Sequence, residues 1–165
     1  MSSAAVPQHA LKRAALPRLM RVGLLTGVVD GLWAIVLTLI YQRSQTRLWQ
    51  GIAAVPFGQS MFDGGAPTIL LGVAIHFCVA FAWSALFLLL VLRSPWLRGV
   101  LDSPYGFFTI AAVYGPLIWI VMSLVVIPHF THQPAAITYR WWIQLAGHIV
   151  FVGLPIVWSI GRGAR

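Results

Sequence analysis

Of the chain's 165 residues, 59% are hydrophobic and only 8% are charged, with a mean hydropathy of +0.86. Soluble domains carry about 25% charged residues, so a water-soluble globular domain is excluded. The formal net charge of +8, from 11 Lys+Arg against 3 Asp+Glu, falls at the ends of apolar segments rather than along one face. That distribution argues against nucleic-acid binding and makes anionic lipids on the cytoplasmic face the natural counter-charge.

In chain order, residues 1–21 form a basic tail with two prolines, Pro7 and Pro17. No short apolar stretch with a small-residue cleavage site follows, so the first long apolar run is read as an uncleaved span. About 20 apolar residues are needed to cross about 30 Å of hydrocarbon, and four runs qualify, at residues 22–41, 68–92, 106–127 and 141–160. Unbroken apolar runs rather than alternation select helices over barrel strands. Pro128 is expected to end the third span, because it lacks the N–H that would continue the helix. Cys78 lies inside the second run and, as the only cysteine, reads as a small packing or lipid-facing residue.

The connection from residue 42 to residue 67 is too long for a tight turn. It carries Gly51, Pro56, Gly58, Gly64 and Gly65 and is read as a short interfacial or re-entrant element followed by a glycine turn. The expected fold is therefore an all-α membrane protein, one integral domain over residues 1–165, built as a four-helix up-down bundle with an extra segment between helices 1 and 2.

Basic residues set the orientation. Lys12, Arg13, Arg18, Arg21, Arg93, Arg98, Arg162 and Arg165 fall on one side, and Arg43, Arg47 and Arg140 on the other. Both termini are accordingly expected in the cytoplasm of a bacterial inner membrane. Trp49, Tyr139, Trp141 and Trp142 are expected in the outer aromatic belt, and Trp96 and Tyr105 in the inner one.

Residues three and four apart share a helix face. On that spacing each span has one small-and-polar stripe. The stripes are Gly23, Thr26, Gly27, Asp30, Ala34, Thr38 and Tyr41; then Gly72, His76, Ala80 and Ser84; then Thr109, Ala112, Pro116 and Ser123; and finally Gln144, His148, Pro155 and Ser159, flanked by Gly147. In lipid, small residues let helices approach and polar ones bond across, so these stripes are expected to face the bundle interior. An acid near mid-membrane costs at least about 2.5–3.5 kcal/mol, so Asp30 is either a neutral hydrogen-bonded acid or one partner of a pair.

The candidate interior site is Asp30, His76, His148 and Gln144, with His129 and His132 as a candidate outer entrance. At about 1.5 Å per residue, His76 and His148 lie about 12 and 10 Å below the outer boundary and Asp30 about 18 Å below it. A bridging water is therefore expected more readily than direct contact. Imidazole exchanges protons near neutral pH, which makes a proton the simplest species for such an interior to bind or conduct.

Nucleotide-binding, zinc-protease and serine-nucleophile motifs are missing, and the chain has no glutamate, so an enzyme is not expected. Two alternatives stand beside the binding or conducting protein. One is a structural or accessory subunit, with small-residue faces joining a homo-oligomer or a membrane partner. The other is a haem b redox protein ligated by His76 and His148; otherwise no cofactor or metal is expected.

The stretch LWQGIAAVPFGQSMFDGGAPTILLGVAIHFCVAF resembles a group of uncharacterised bacterial four-span membrane proteins. They show Gln-x-Ile-Ala, then Gly-Gly, then Leu-Gly-x-x-x-His-Phe. From the second span onward, His76, the WLRG turn, the proline closing span 3 and the Gly147-His148 pair also resemble the YagU-like inner-membrane family. The resemblance covers roughly residues 48 to 162 and implies a four-helix inner-membrane protein, with no reaction, substrate or cofactor attached.

Overall fold

In the computed structural model, residues 8–161 are described, with side chains from Leu16 onward. Arg162, Arg165 and the side chains of Lys12 and Arg13 lie outside the described residues. Four helices are long and apolar enough to cross a membrane, Leu16–Ile40, Gly65–Arg93, Gly106–Thr131 and Tyr139–Gly161. The chain is 88% helical with no strand among the described residues, which keeps backbone polar groups paired within the spans.

The elements are α1 (Gln8–Ile40), α2 (Gln45–Phe57), a 3-10 turn (Gln59–Asp63), α3 (Gly65–Arg93) and α4 (Pro95–Leu101). Then come α5 (Gly106–Val121), a π-helical turn (Met122–Val126) and α6 (Ile127–Thr131), which together make the third span. The fourth span is α7 (Tyr139–His148), a second π-turn (Ile149–Gly153) and α8 (Leu154–Gly161). We call the side carrying α2 the loop face and the opposite side, where α1 begins and α8 ends, the terminal face.

The spans pack in a ring. α1 lies between α3 and the fourth span, and the fourth span lies between α1 and α5. α3 and α5, although consecutive spans, do not pack along their lengths. They meet at Tyr114, whose hydroxyl donates to the Trp83 carbonyl at 2.7 Å and whose ring lies 4.8 Å from that of Phe87. On the terminal side of this contact the interior holds an apolar cluster that includes Val22, Phe87, Leu101, Ile156, Val157 and Ile160, none more than 1% exposed. Its partner α4 is fixed by Ser94, which caps it, and by Arg98, whose Nη1 donates to the Val91 and Leu92 carbonyls at the end of α3.

The third span does not end at Pro128. A proline inside a helix clashes with the carbonyl four residues back and cannot bond to it. For Pro128 that residue is Leu124, and for Pro155 it is Phe151; each sits at the middle of a π-turn. Both helices thus widen to admit the proline and continue. The π-turn also explains a failed stripe. Thr109 and Ala112 are exposed, whereas Ala111, Tyr114, Gly115 and Ile118 are buried. An α-helical phase carried back from Ser123 misses the extra residue, which is about 100° of rotation.

The segment between the first two spans is a helix packed into the bundle. Ser44 caps α2, and Gln50, Ala53 and Ala54 are buried against α3 and α1. Gly72 permits this approach, since a Cβ there would stand 1.9 Å from the Trp49 carbonyl oxygen. Trp49, partly exposed, and Trp141, buried, turn toward the bundle rather than fully outward. Trp49 packs edge-on against His76 at 5.6 Å, and buried Trp141 donates Nε1–H to the Ser123 hydroxyl at 2.9 Å. Tyr139, Trp142, Trp96 and Tyr105 are exposed as expected, and Cys78 is on the lipid-facing side.

Candidate binding site

On the loop side of the Tyr114 contact, the gap between α3 and α5 becomes a cavity of about 340 Å³. α3 contributes Ile75, His76, Val79, Ala80 and Trp83 to its walls, and the third span contributes Ile118, Trp119, Met122, Val126, Ile127 and Phe130. Thr26 and Asp30 of α1 and His148, Val152 and Ile156 of the fourth span form its back, and Ile52, Val55 and Pro56 of α2 cover it. The lining is apolar apart from a few converging polar groups, the usual make-up of a small-molecule site.

His76 is positioned by the glycine face of α1. Gly23 and Gly27 leave notches that receive the rings of Phe81 and Phe77, and Gly31 lies beneath the His76 ring. With α1 and α3 this close, His76 Nε2 reaches the Gly27 carbonyl at 2.9 Å. A carbonyl only accepts, so Nε2 carries a hydrogen. The other nitrogen, Nδ1, faces Asp30 Oδ2 at 4.0 Å. In the neutral imidazole Nδ1 is a bare acceptor, and so is an ionised carboxylate. The pair therefore needs one proton, on the acid or on the ring, or a small donor between them. The separation is wider than a direct hydrogen bond and leaves room for either.

His148 has the opposite arrangement. Its Nδ1 bonds to the Gln144 carbonyl one turn back at 2.8 Å, which leaves Nε2 without a partner among the described residues. Its ring packs 4.9 Å from that of Trp119. Among the described residues, Trp119 Nε1 and Thr26 Oγ1 are buried with no hydrogen-bond partner, and both residues line the cavity. Buried polar groups are nearly always paired, so two orphaned groups on one cavity mark a place for a polar ligand atom.

Of the residues expected to form the interior site, Asp30, His76 and His148 come together on this cavity. The ion-pair approach of Asp30 and His76 is closer than the helical rise suggests. Gln144 does not join them. Its Oε1 accepts from Trp33 Nε1 at 3.1 Å, and its side chain lines a neighbouring cavity of about 330 Å³ beyond Trp119. His129 and His132 are exposed at the end of α6 and line neither cavity. Two haem-axial histidines each need a free ring nitrogen, and both nitrogens of His76 face groups of α1. Sequence reasoning missed Trp119 and Trp83, because an apolar helix gives no sign of which tryptophan turns inward.

Fold and cavity define the class, a multi-pass helical membrane protein. No family model, curated protein or solved structure matches the chain.

Proposed function

We propose that this is a non-enzymatic membrane protein that binds a small, mostly apolar molecule in the α3–α5 cavity. In this reading the Asp30–His76 pair is the polar, proton-holding end of the site, and Trp119, Thr26 and His148 offer further hydrogen bonds. The observation that carries the reading is the meeting of Asp30, His76 and His148 on one otherwise apolar cavity. Binding is favoured over conduction because a cluster of buried apolar side chains lies between the cavity and the terminal face. The gap between α3 and α5 gives the ligand a route from the bilayer.

The test uses the full chain in lipid nanodiscs with 4-hexylphenol as probe. Thermal unfolding of the wild type is expected to shift upward with probe concentration. Val79→Trp, which fills the cavity from α3, is expected to remove that shift while keeping the helix content. An equal shift in both proteins would sink the proposal.

A further inference from the structure

Of the three arginines of the loop face, Arg43 and Arg47 are four residues apart and Arg140 is remote in sequence. Arg43 follows α1, Arg47 is in the first turn of α2 and Arg140 is in the first turn of α7. The fold brings them to one cavity of about 640 Å³ with Thr38, Tyr41 and Phe62, and no acid lines it. Among the described residues none of the three arginines forms an ion pair. Gathering like charges without counter-charge is unfavourable, and positive residues on this face already run against the charge bias of the chain.

Two of the guanidinium groups are held in place by aromatic rings. Arg140 lies 4.4 Å over the ring of Tyr41 and 5.5 Å from that of Tyr139, and its Nε–H donates to the Tyr139 hydroxyl at 3.0 Å. Arg47 lies 5.5 Å over the ring of Phe62. These contacts occupy ring faces and one Nε–H. Among the described residues no hydrogen bond engages the Nη groups of Arg43, Arg47 or Arg140.

We propose that this cavity binds a phosphate group, either the headgroup phosphate of a bilayer lipid or that of a water-soluble phosphate ester. Guanidinium forks match phosphate oxygens in pairs. Three forks from three elements suit an anion that presents oxygens in several directions better than a single carboxylate. The cavity lies where α1 ends, beside Tyr41 and Tyr139, whose rings are 6.2 Å apart. Tyrosine is enriched at the headgroup level. This site is independent of the interior cavity.

The test is native mass spectrometry of the full chain released from nanodiscs of equimolar phosphatidylcholine and phosphatidylglycerol, with and without added pyrophosphate. The wild type is expected to retain phosphatidylglycerol or to bind pyrophosphate. The combined Arg43→Gln, Arg47→Gln and Arg140→Gln variant is expected to do so about tenfold more weakly. Arg93→Gln, on the terminal face, is expected to match the wild type. Displacement of lipid by pyrophosphate assigns the site to soluble phosphates, and retention in its presence assigns it to headgroups; both support the proposal. Equal retention by the triple variant, an equal loss in Arg93→Gln, or no binding of either anion by the wild type overturns it. Should the triple variant fail to fold, Arg43→Gln alone decides: this exposed side chain has no ring contact to lose, and unchanged binding counts against the site.

Discussion

Asp30 and His76 differ from the hydroxyl residues that bond within their own helix in what they leave unfinished. Thr38, Ser84 and Thr109 return their hydroxyls to the carbonyl four residues back in their own helix, a local arrangement that any membrane helix tolerates. His76 bonds across to α1 and turns its second nitrogen to a carboxyl group that no other hydrogen bond engages among the described residues. Asp30→Asn keeps the shape and supplies an N–H to Nδ1. It is expected to fold like the wild type and to bind the phenol probe with a changed affinity, because the pair no longer has a proton to share with a ligand. Comparing probe binding and helix content of the two proteins checks this. The glycines give a paired prediction. Gly72→Ala would drive a Cβ into the Trp49 backbone and is expected to lose about 1–3 kcal/mol. Gly99→Ala has nothing within 4 Å and is expected to gain up to about 1 kcal/mol from helix propensity. Thermal unfolding in one detergent measures both.

At the scale of elements, α2 is the segment whose removal would uncover the cavity. It is only 13 residues long, too short to be stable alone, and it is held by burial of Gln50, Ala53 and Ala54 and by the Ser44 cap. Losing such a cap costs about 0.5–2 kcal/mol. Ser44→Ala is therefore expected to speed amide exchange over residues 45–57 by about the corresponding factor while leaving exchange in the four spans unchanged. Uniform acceleration across the spans would instead mean that α2 opens only with the whole bundle. The π-turns belong to this scale too. Pro128 was visible in the sequence as a helix breaker, but a proline stops a helix only where the freed backbone can reach water. In a packed span, widening one turn costs less than exposing several carbonyls to lipid, so both helices run on.

For the whole molecule, the charge bias predicts orientation. A reporter fused after Arg165 is expected to be active only in its cytoplasmic form, and one inserted in the 132–138 connection only in its external form. The opposite result would reverse the assignment of both faces. The four spans, the bundle and the inward turn of Asp30, His76 and His148 were legible in the sequence, because transfer into lipid is close to a sum over residues and a helix fixes which residues share a face. The position of Gln144, the inward turn of Trp119, the packing of α2 and the gathering of Arg43, Arg47 and Arg140 were not. Each depends on how two or more helices approach, and that is decided by notches such as Gly72 and by the π-turns, which reset the helical phase part-way along a span. Sequence alone determined that the chain has four membrane-spanning helices, and it gave the inward position of Asp30, His76 and His148 but not the inward face of the third span. Tertiary structure alone decided which polar groups meet, because hydrogen bonds and charge contacts act over a few ångströms and the distances between helices are set by packing that no single helix encodes.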